Sequence, residues 1–381
     1  MWAHLGTPGF EAALAAELAP FGPRVLAPGV VVCGAPSEGA PLVDPAFARQ
    51  ALPDAAEVGG ASVRALAEAA FAAVEGAVDR WTGAFTVHAF PPPAPTDEDA
   101  PAALLGARAA HTRARAARRA GPPEVAPRGR GAENDGLGSR AVLVERALLG
   151  LLAERRKRAS RRFVARVAPA DFGAGVLLVQ LLLVARERLL VSAAAPRPLP
   201  RGGFDLAPWP AGAAPVSDDR APPSRAYRKL EEAFQWMGAA PRAGESCVDL
   251  GAAPGSWTLV AARRGASVIA VDRAPLAPAV ARARGVTTVI GNAFTYEPPR
   301  PVDWLLSDVV CEPARAIGLA GDWLGAKRCR NLVVTVKFKG RDQYGALAAL
   351  APVLDSTRPA FGRVKQLLHN KNEVTVMIRG A

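Results

Sequence analysis

Four charged residues lie beside apolar, strand-like segments in the C-terminal part of the sequence: Lys229, Asp308, Lys337 and Glu373. Lysine and carboxylate groups at the ends of apolar strands are costly unless they pair with one another. In an open α/β sheet the carboxyl ends of the strands form the edge at which ligands bind, so we expect the four to converge there. The sequence therefore predicts a ligand-binding site that these four side chains form at that edge of the sheet.

The elements that must position these residues alternate between strands and helices from Ser224 onward, a pattern that predicts a doubly wound parallel sheet. Further towards the N-terminus, the spacing of apolar residues predicts helices over 10–18, 60–85 and 141–158 and a buried hairpin over 176–193. An Ala/Arg-rich helix is predicted over 102–120 and a Gly/Pro-rich loop over 121–139.

A strand, a glycine turn and a helix follow one another at Ser246-Cys-Val-Asp-Leu250, Gly251-Ala-Ala-Pro-Gly-Ser-Trp257 and 258–263. Gly251 and Gly255 would let the backbone turn sharply and approach a ligand. The spacing is not that of a dinucleotide site, and Pro254 removes a backbone donor. The turn is therefore suited to a ligand without phosphates.

The next two predicted strands each end at a polar residue. Asp272 follows the strand over 267–271, 23 residues after Asp249, where a carboxylate can accept hydrogen bonds from both hydroxyls of a ribose. Capping of the next helix is the alternative role for this aspartate. Asn292 follows the strand over 288–290, where an adenine amine could be read. The three features in order indicate a nucleoside cofactor.

Positive charge is concentrated in one stretch of the chain. The formal net charge is +12, and residues 108–166 contain 16 Lys/Arg and 5 Asp/Glu, a difference of +11. Such a local positive field favours a polyanionic partner, RNA or DNA, although solvated arginines on helix faces would give the same count.

Other classes of protein fit the sequence poorly. The four cysteines form no CxxC pair, so no structural zinc site and no metal is expected. The longest apolar stretch, 176–185, is too short to span a bilayer, and the N-terminus lacks the features of a signal peptide. We therefore expect a cytoplasmic protein without a membrane partner.

The Lys-Asp-Lys-Glu set in these contexts resembles the tetrad of the FtsJ-like (RrmJ-like) ribose 2′-O-methyltransferases. Within them it is most similar to the RlmM branch, which methylates a cytidine ribose of 23S rRNA. The similarity is strongest over 224–381, weaker over 1–55, and limited to position and topology in between. It is carried by Pro223-Ser-Arg-Ala-Tyr-Arg-Lys-Leu-Glu-Glu-Ala-Phe234, Gly9-Phe-Glu11, Ala16-Glu17, Ala46-Phe-Ala-Arg-Gln50, Asp308-Val-Val-Cys-Glu-Pro-Ala314, Trp323-Leu324, His369 and Asn372-Glu-Val-Thr-Val376.

The resemblance implies an α/β fold, with a Rossmann-like S-adenosylmethionine-dependent methyltransferase domain preceded by α+β RNA-binding domains. The implied domains are ferredoxin-like over 1–58, THUMP-like over 59–196, a linker over 197–223 and the methyltransferase domain over 224–381. It implies Lys337 as the proton acceptor, with Asp308, Lys229 and Glu373 completing the catalytic set. The implied cofactor-binding residues are Ser224, Gly251, Ala253, Pro254, Gly255, Ser256, Trp257, Asp272, Asn292 and Asp308.

Two positions depart from the family pattern. Ser256 stands where a second glycine is usual, which is tolerable if its φ is negative. Asn292 stands where an aspartate is usual, and an amide both accepts and donates, so adenine recognition could change.

A ribose hydroxyl is a poor nucleophile, and a neutral lysine could accept its proton as the oxygen attacks. Burial and the neighbouring charge of Lys229 would favour the neutral form of Lys337, while Asp308 and Glu373 would oppose it. Lys339 is a second candidate base on the same strand face. Two other functions stay open: a non-catalytic RNA-binding or ribosome-assembly factor, and 2′-O-methylation of another RNA such as tRNA.

Overall fold

The computed structural model describes residues 1–37, 42–93, 135–356 and 358–381. The chain divides into two compact units. The first comprises Met1–Ala40, Gln50–Val167 and Phe172–Pro196, and the second comprises Pro41–Arg49, Ala168–Asp171 and Arg197–Ala381. The predicted helix over 102–120 lies outside the described residues.

The first unit begins with a four-stranded antiparallel sheet in the order β2-β3-β1-β4. Its elements are β1 (Trp2–Leu5), α1 (Glu11–Glu17), a 3₁₀ helix (Ala19–Phe21), β2 (Arg24–Ala27), β3 (Val30–Cys33) and β4 (Gln50–Leu52). The helix predicted over 10–18 is therefore present, because its apolar residues pack inward: Phe10, Ala13, Leu14 and Leu18 are all buried.

A second sheet of the same unit has the order β5-β8-β7-β6, with β7 and β8 forming the predicted hairpin. Its elements are β5 (Ala56–Gly59), α2 (Val63–Arg80), β6 (Ala84–Phe90), α3 (Asp135–Arg155), α4 (Lys157–Ser160), β7 (Val176–Ala185) and β8 (Arg188–Ala194). Apolar residues of α2 and α3 cover one face of this sheet.

The prediction of a loop over 121–139 was wrong for its last five residues, because α3 already begins at Asp135. Gly136 and Gly138 suggested a loop, but Leu137 and Ala141 lie at helical spacing and pack against the core of this unit. Burial of that face outweighs the cost of the two glycines. Residues 121–134 lie outside the described part of the chain.

The second unit contains a seven-stranded sheet in the order β11-β10-β9-β12-β13-β15-β14. Strands β9 to β13 are parallel, and β15 runs antiparallel to both β13 and β14. This is the doubly wound α/β sheet that the sequence predicts, with an antiparallel addition at one edge. Its strands are β9 (Ser246–Leu250), β10 (Ser267–Asp272), β11 (Val286–Ile290), β12 (Val302–Ser307), β13 (Cys329–Lys337), β14 (Phe361–Lys365) and β15 (Glu373–Arg379).

Helices connect these strands and cover the sheet. They are α5 (Tyr227–Met237), α6 (Ser256–Arg263), α7 (Pro278–Ala281), α8 (Pro313–Gly325) and α9 (Leu350–Ser356), with 3₁₀ helices at Pro210–Gly212 and Arg341–Ala349. Strand β9 pairs with β10 on one side and β12 on the other, so the strand order reverses there. Ligands bind at the carboxyl ends of the strands beside such a reversal.

The proline-rich segment over 197–223 belongs to the second unit. Leu206, Ala207 and Trp209 are buried in it, and the ring of Trp209 lies 5.5 Å from that of Trp236 in an edge-to-face contact. The segment thus contributes to the core of this unit as well as connecting elements. None of the described helices is long and apolar enough to cross a membrane.

Candidate active site

The tetrad residues are brought together by the topology of the seven-stranded sheet. Asp308 directly follows β12, and Lys337 ends β13, the next strand in the sheet. Glu373 opens β15, which runs the opposite way, and it pairs in register with Lys337. Lys229 reaches the same edge from α5. All four predicted catalytic side chains therefore meet at one end of the sheet.

Lys229 forms the centre of the ion-pair set. Its Nζ donates to Oδ1 and Oδ2 of Asp308, both at 2.8 Å, and lies 3.0 Å from Oε1 of Glu373. Only 11% of the Lys229 side chain and 6% of the Glu373 side chain are exposed. Contacts this short between buried ions fix the positions of all three groups.

Lys337 contacts the same two carboxylates from the strand side. Its Nζ donates to the backbone oxygen of Asp308 at 2.7 Å, to Oδ1 of Asp308, and to Oγ1 of Thr335 at 2.8 Å. Oε2 of Glu373 lies 3.5 Å away. The three donated bonds can use all three hydrogens of an ammonium group.

Thr335 is a fifth member of this cluster that the sequence analysis missed. Besides accepting from Lys337, its hydroxyl donates to Oδ1 of Asp308 at 2.7 Å, and the side chain is fully buried. It lies two residues before Lys337 on β13 and so points to the same face of the strand. That spacing was visible in the sequence, but a threonine within a β-branched run is unremarkable there.

The opposite charges within the tetrad stabilise the ionised forms of Asp308 and Lys229. Burial alone would raise the pKa of Asp308, but the ammonium groups of Lys337 and Lys229 outweigh it and the pKa is lowered. Burial alone would lower the pKa of Lys229, but Glu373 and Asp308 outweigh it and the pKa is raised. Lys229 therefore carries a charge that two carboxylates already compensate, which weakens the expectation that it would favour a neutral Lys337.

Lys339 lies outside this cluster. Its side chain is 79% exposed, and its Nζ pairs with Oε1 of Glu312 at the protein surface. Strand β13 ends at Lys337, so Lys339 is no longer held on the strand face that points to the tetrad. The structure thus separates the two lysines that the sequence analysis considered.

The glycine turn after β9 requires its glycines. Gly251 has φ +77° and Gly255 has φ +109°, which L-residues with side chains rarely adopt. A Cβ on Gly251 would lie 2.9 Å from Val309, and one on Gly255 would lie 2.8 Å from Val280. Both positions therefore combine a left-handed backbone with close packing against a neighbour.

Asp272 lies at the carboxyl end of β10 and already holds this turn. Its Oδ2 accepts from the backbone N–H of Ala253, and its Oδ1 accepts from that of Ala274, both at 2.9 Å. A carboxylate oxygen can accept more than one hydrogen bond, so both retain capacity for ribose hydroxyls. The aspartate thus serves as an anchor of the turn and as a candidate ligand-binding group.

A cavity of about 240 Å³ opens beside Asp272. Its lining includes three predicted cofactor residues, Gly251, Asp272 and Asn292, together with Phe294 and Arg315, which were not predicted. The guanidinium of Arg315 stacks over the ring of Phe294 at 3.7 Å. Arg315 lies in α8, six residues after Val309 of the same lining, but its local sequence gave no sign of a role in the cavity.

Asn292 uses its amide oxygen within its own turn, where Oδ1 accepts from the backbone N–H of Phe294 at 3.2 Å. The amide keeps a second lone pair and its N–H donors. The asparagine that stands here in place of the usual aspartate therefore still presents a polar group to the cavity.

The other predicted cofactor residues do not line this cavity, and their assignment stays a prediction; they are Ser224, Ala253, Pro254, Gly255, Ser256, Trp257 and Asp308. Ser256 is buried without a positive φ, so it is accommodated, and its Oγ lies 2.8 Å from Oγ of Ser224. Trp257 donates its indole N–H to the backbone oxygen of Ala226 at 2.9 Å. Both therefore connect the turn to the start of α5.

The residues that the structure describes contain no group of three or more His, Cys, Asp or Glu side chains placed to hold a metal ion.

Comparison with known proteins relates this unit to methyltransferases. Residues 222–320 match the FtsJ-like methyltransferase family. A protein named ribosomal RNA large subunit methyltransferase M from Alkalilimnicola ehrlichii is 38% identical over 177 residues, which is 45% of this chain and 49% of that protein. The protein of the same name from Pseudomonas syringae pv. syringae is 39% identical over 184 residues, 45% of this chain and 51% of that one.

The chain spans about half the length of the curated relatives that it matches. Among solved structures, a Plasmodium falciparum protein described as a candidate ribosomal RNA methyltransferase is 14% identical, with coverage of 41% of this chain and 97% of that one and a TM-score of 0.33. That score is too low to carry an argument. The sequence matches confirm the FtsJ-like resemblance over residues 222–320, and with it the predicted α/β methyltransferase fold of that part of the chain.

Proposed function

We propose that this chain is an S-adenosylmethionine-dependent RNA methyltransferase that modifies the 2′-oxygen of a cytidine ribose in 23S rRNA. The observation that carries the proposal is the contact of Lys229, Asp308, Lys337 and Glu373 at the carboxyl edge of the sheet. This set lies in a unit of which residues 222–320 match the FtsJ-like family.

The cavity fits a nucleoside cofactor. Its lining joins a carboxylate, Asp272, with the polar side chain of Asn292 and a glycine turn that approaches without a side chain. Val309, which directly follows Asp308, also lines it, so the cavity adjoins the tetrad. When bound there, S-adenosylmethionine would supply an activated methyl group. The chain's own groups would hold it: Asp272 through the ribose hydroxyls and Asn292 through the base.

Lys337 is the proposed proton acceptor for the ribose hydroxyl. An ammonium group has no lone pair, so Lys337 would first release one proton to solvent and then accept the proton of the ribose hydroxyl. Loss of that proton would free a lone pair while bonds to Asp308 and Thr335 keep the nitrogen in place. Asp308 and Glu373 would remain ionised and hold both lysines, and Lys229 would remain charged.

The choice of RNA rests on the relatives. Both are named ribosomal RNA large subunit methyltransferase M. The weaker resemblance to the RlmM branch over residues 1–55 of the sequence favours the same RNA. We propose that the regions over 1–58 and 59–196 grip this RNA, as ferredoxin-like and THUMP-like domains, and that the protein acts in the cytoplasm. The exposed Lys157, Arg158 and Arg161 in the first unit would supply phosphate contacts.

Methyl transfer from S-adenosylmethionine with a labelled methyl group tests this proposal. The purified chain would be incubated in turn with 23S rRNA and with tRNA, and the RNA digested to nucleosides for mass spectrometry. The expected product is 2′-O-methylcytidine from 23S rRNA alone. A base-methylated nucleoside, or no transfer to either RNA by a chain that binds the cofactor, would contradict the proposal. Ribose methylation of tRNA alone would contradict the proposed substrate.

A further inference from the structure

A fully buried carboxylate, Glu232, lies one helical turn beyond Lys229 on α5 and is not a member of the tetrad. Its two oxygens accept from two consecutive backbone N–H groups: Oε1 from Leu368 at 2.8 Å and Oε2 from His369 at 3.0 Å. Helix α5 therefore binds the chain segment that precedes Glu373 as well as Glu373 itself.

The segment held by Glu232 reaches Glu373 through a second buried residue, Asn370. The Asn370 Oδ1 accepts from the backbone N–H of Leu367 at 2.8 Å and from the Thr375 hydroxyl at 3.0 Å. Its Nδ2 lies 3.4 Å from Oε1 of Glu373, the same oxygen that contacts Lys229. A continuous set of contacts thus runs from Glu232 to the tetrad.

Burying an ionised carboxylate costs free energy, and the raised pKa of Glu232 reflects this cost. Burial raises the pKa of Glu232 to about 7, against the lowering effects of the Leu368 and His369 N–H groups and of the Arg49 charge. An apolar residue at this position would avoid the cost but leave two backbone donors without their acceptor.

We infer that Glu232 is a positioning residue for the methyl-transfer reaction: with Asn370 it fixes the segment 367–372 so that the Glu373 carboxylate meets both lysines of the tetrad. The inference rests on the proposed function. Because Lys229 and Glu232 lie on the same helix, any shift of the segment would change the 3.0 Å contact between Lys229 and Glu373. Glu232 acts through Glu373 and touches none of the proposed reacting groups.

A double-mutant cycle with the full chain tests this role. Single-turnover methyl transfer to 23S rRNA, with cofactor and RNA saturating, would be measured for wild type, Glu232→Gln, Glu373→Gln and the double variant. Glutamine keeps one acceptor for the two N–H groups and turns its amide towards the other. The Glu232→Gln rate should fall by about ten- to a hundredfold, the effect of losing a hydrogen bond to a charged group. In the Glu373→Gln background the same change should cost less than about twofold, because the two act as one unit.

Asp303→Asn is the matched control. The Asp303 carboxylate also accepts a backbone N–H, that of Ser246 at 2.8 Å, but at the opposite end of the sheet. This variant should transfer methyl groups at the wild-type rate. If Glu232→Gln fails to fold, Asn370→Ser replaces it in the cycle, with the same expected non-additivity.

The outcomes separate the two claims. An equal loss of rate from Glu232→Gln in both backgrounds, or no loss in the wild-type background, would overturn the positioning role. A wild-type chain that binds the cofactor but transfers no methyl group to RNA would overturn the proposed function instead.

Discussion

Two charged clusters were predicted from the sequence, and their side chains are arranged differently in the structure. The tetrad combines residues from four distant chain positions, and all four meet at one edge of the sheet. The predicted basic stretch 108–166 includes six basic residues within 155–162, a part that the structure describes. These charges are close together in sequence, yet some of them form ion pairs or hydrogen bonds within the protein. Position relative to the sheet therefore predicted which charged residues meet, whereas the local density of charge did not show which arginines pair within the protein.

The arginines of the basic stretch show why. Arg155 pairs with Glu68 at 2.6 Å, and Arg156 contacts Asp79 at 2.8 Å, with both acidic residues on α2. Arg162 donates to the backbone oxygen of Val78 at 2.7 Å. Such arginines join helices to one another, and a count of basic residues cannot separate them from exposed ones.

The largest expected effect tests the tetrad side of this comparison. Lys337→Arg keeps the charge but cannot supply a neutral amine, because guanidinium does not deprotonate in proteins. Single-turnover methyl transfer should fall by about 10²–10⁴-fold, the usual contribution of a positioned base.

Lys339→Arg is the matched control, since that lysine is exposed and pairs with Glu312. It should retain the wild-type rate. Loss of activity in this control together with an active Lys337→Arg would show that the wrong lysine was assigned.

A smaller effect is expected at the cofactor end of the same edge. Asp272→Ala removes the acceptor of the Ala253 and Ala274 N–H groups and the proposed ribose ligand. Binding of S-adenosylmethionine should weaken by about 1–3 kcal/mol, measured by calorimetry. Asp272→Asn keeps one acceptor oxygen and should lose less. Unchanged affinity in a folded Asp272→Ala would refute the assignment.

The basic stretch offers a direct contrast between exposed and paired charges. Replacing the exposed Lys157, Arg158 and Arg161 by Gln should weaken RNA binding and reduce the salt slope by about 0.7–0.9 per lost phosphate contact. Replacing the ion-paired Arg155 and Arg156 by Gln should leave that slope nearly unchanged and lower thermal stability instead. Filter binding across salt concentrations would measure both. Equal effects on the slope would mean that the ion pairs open to bind RNA.

The last prediction concerns stability at the edge that carries the site. Burial raises the pKa of Asp249 from 3.8 to about 7, with Thr258 donating to the carboxylate at 2.6 Å. Between pH 3.8 and about 7, Asp249 holds a proton in the folded chain that it has released in the unfolded chain. The free energy of unfolding therefore falls as the pH rises through this range. Relative to Asp249→Asn, the wild-type free energy of unfolding should fall by up to about 1.4 kcal/mol per pH unit there. Urea unfolding at several pH values would measure it, and a rising difference would contradict the assignment.

The sequence predicted those parts of the site that depend on strand ends. Asp308 and Lys337 follow apolar runs, and parallel strands place their carboxyl ends at one edge. It did not reveal Thr335, Glu232 or Arg315, because their roles depend on which elements pack together. Strand β14 (Phe361–Lys365) was also missed, since Arg363 and Lys365 are buried there through pairing with Asp44, far away in the chain.

The central claim is that this chain uses the tetrad to methylate a ribose of the large ribosomal RNA. Mapping of ribose methylation along 23S rRNA tests this claim most directly. A strain that lacks this protein would be complemented with wild type, Lys337→Arg or Lys339→Arg. We expect one cytidine to lose its 2′-O-methyl group in the deletion strain and to regain it with wild type and Lys339→Arg, but not with Lys337→Arg. An unchanged methylation map in the deletion strain, or full restoration by Lys337→Arg, would contradict the account.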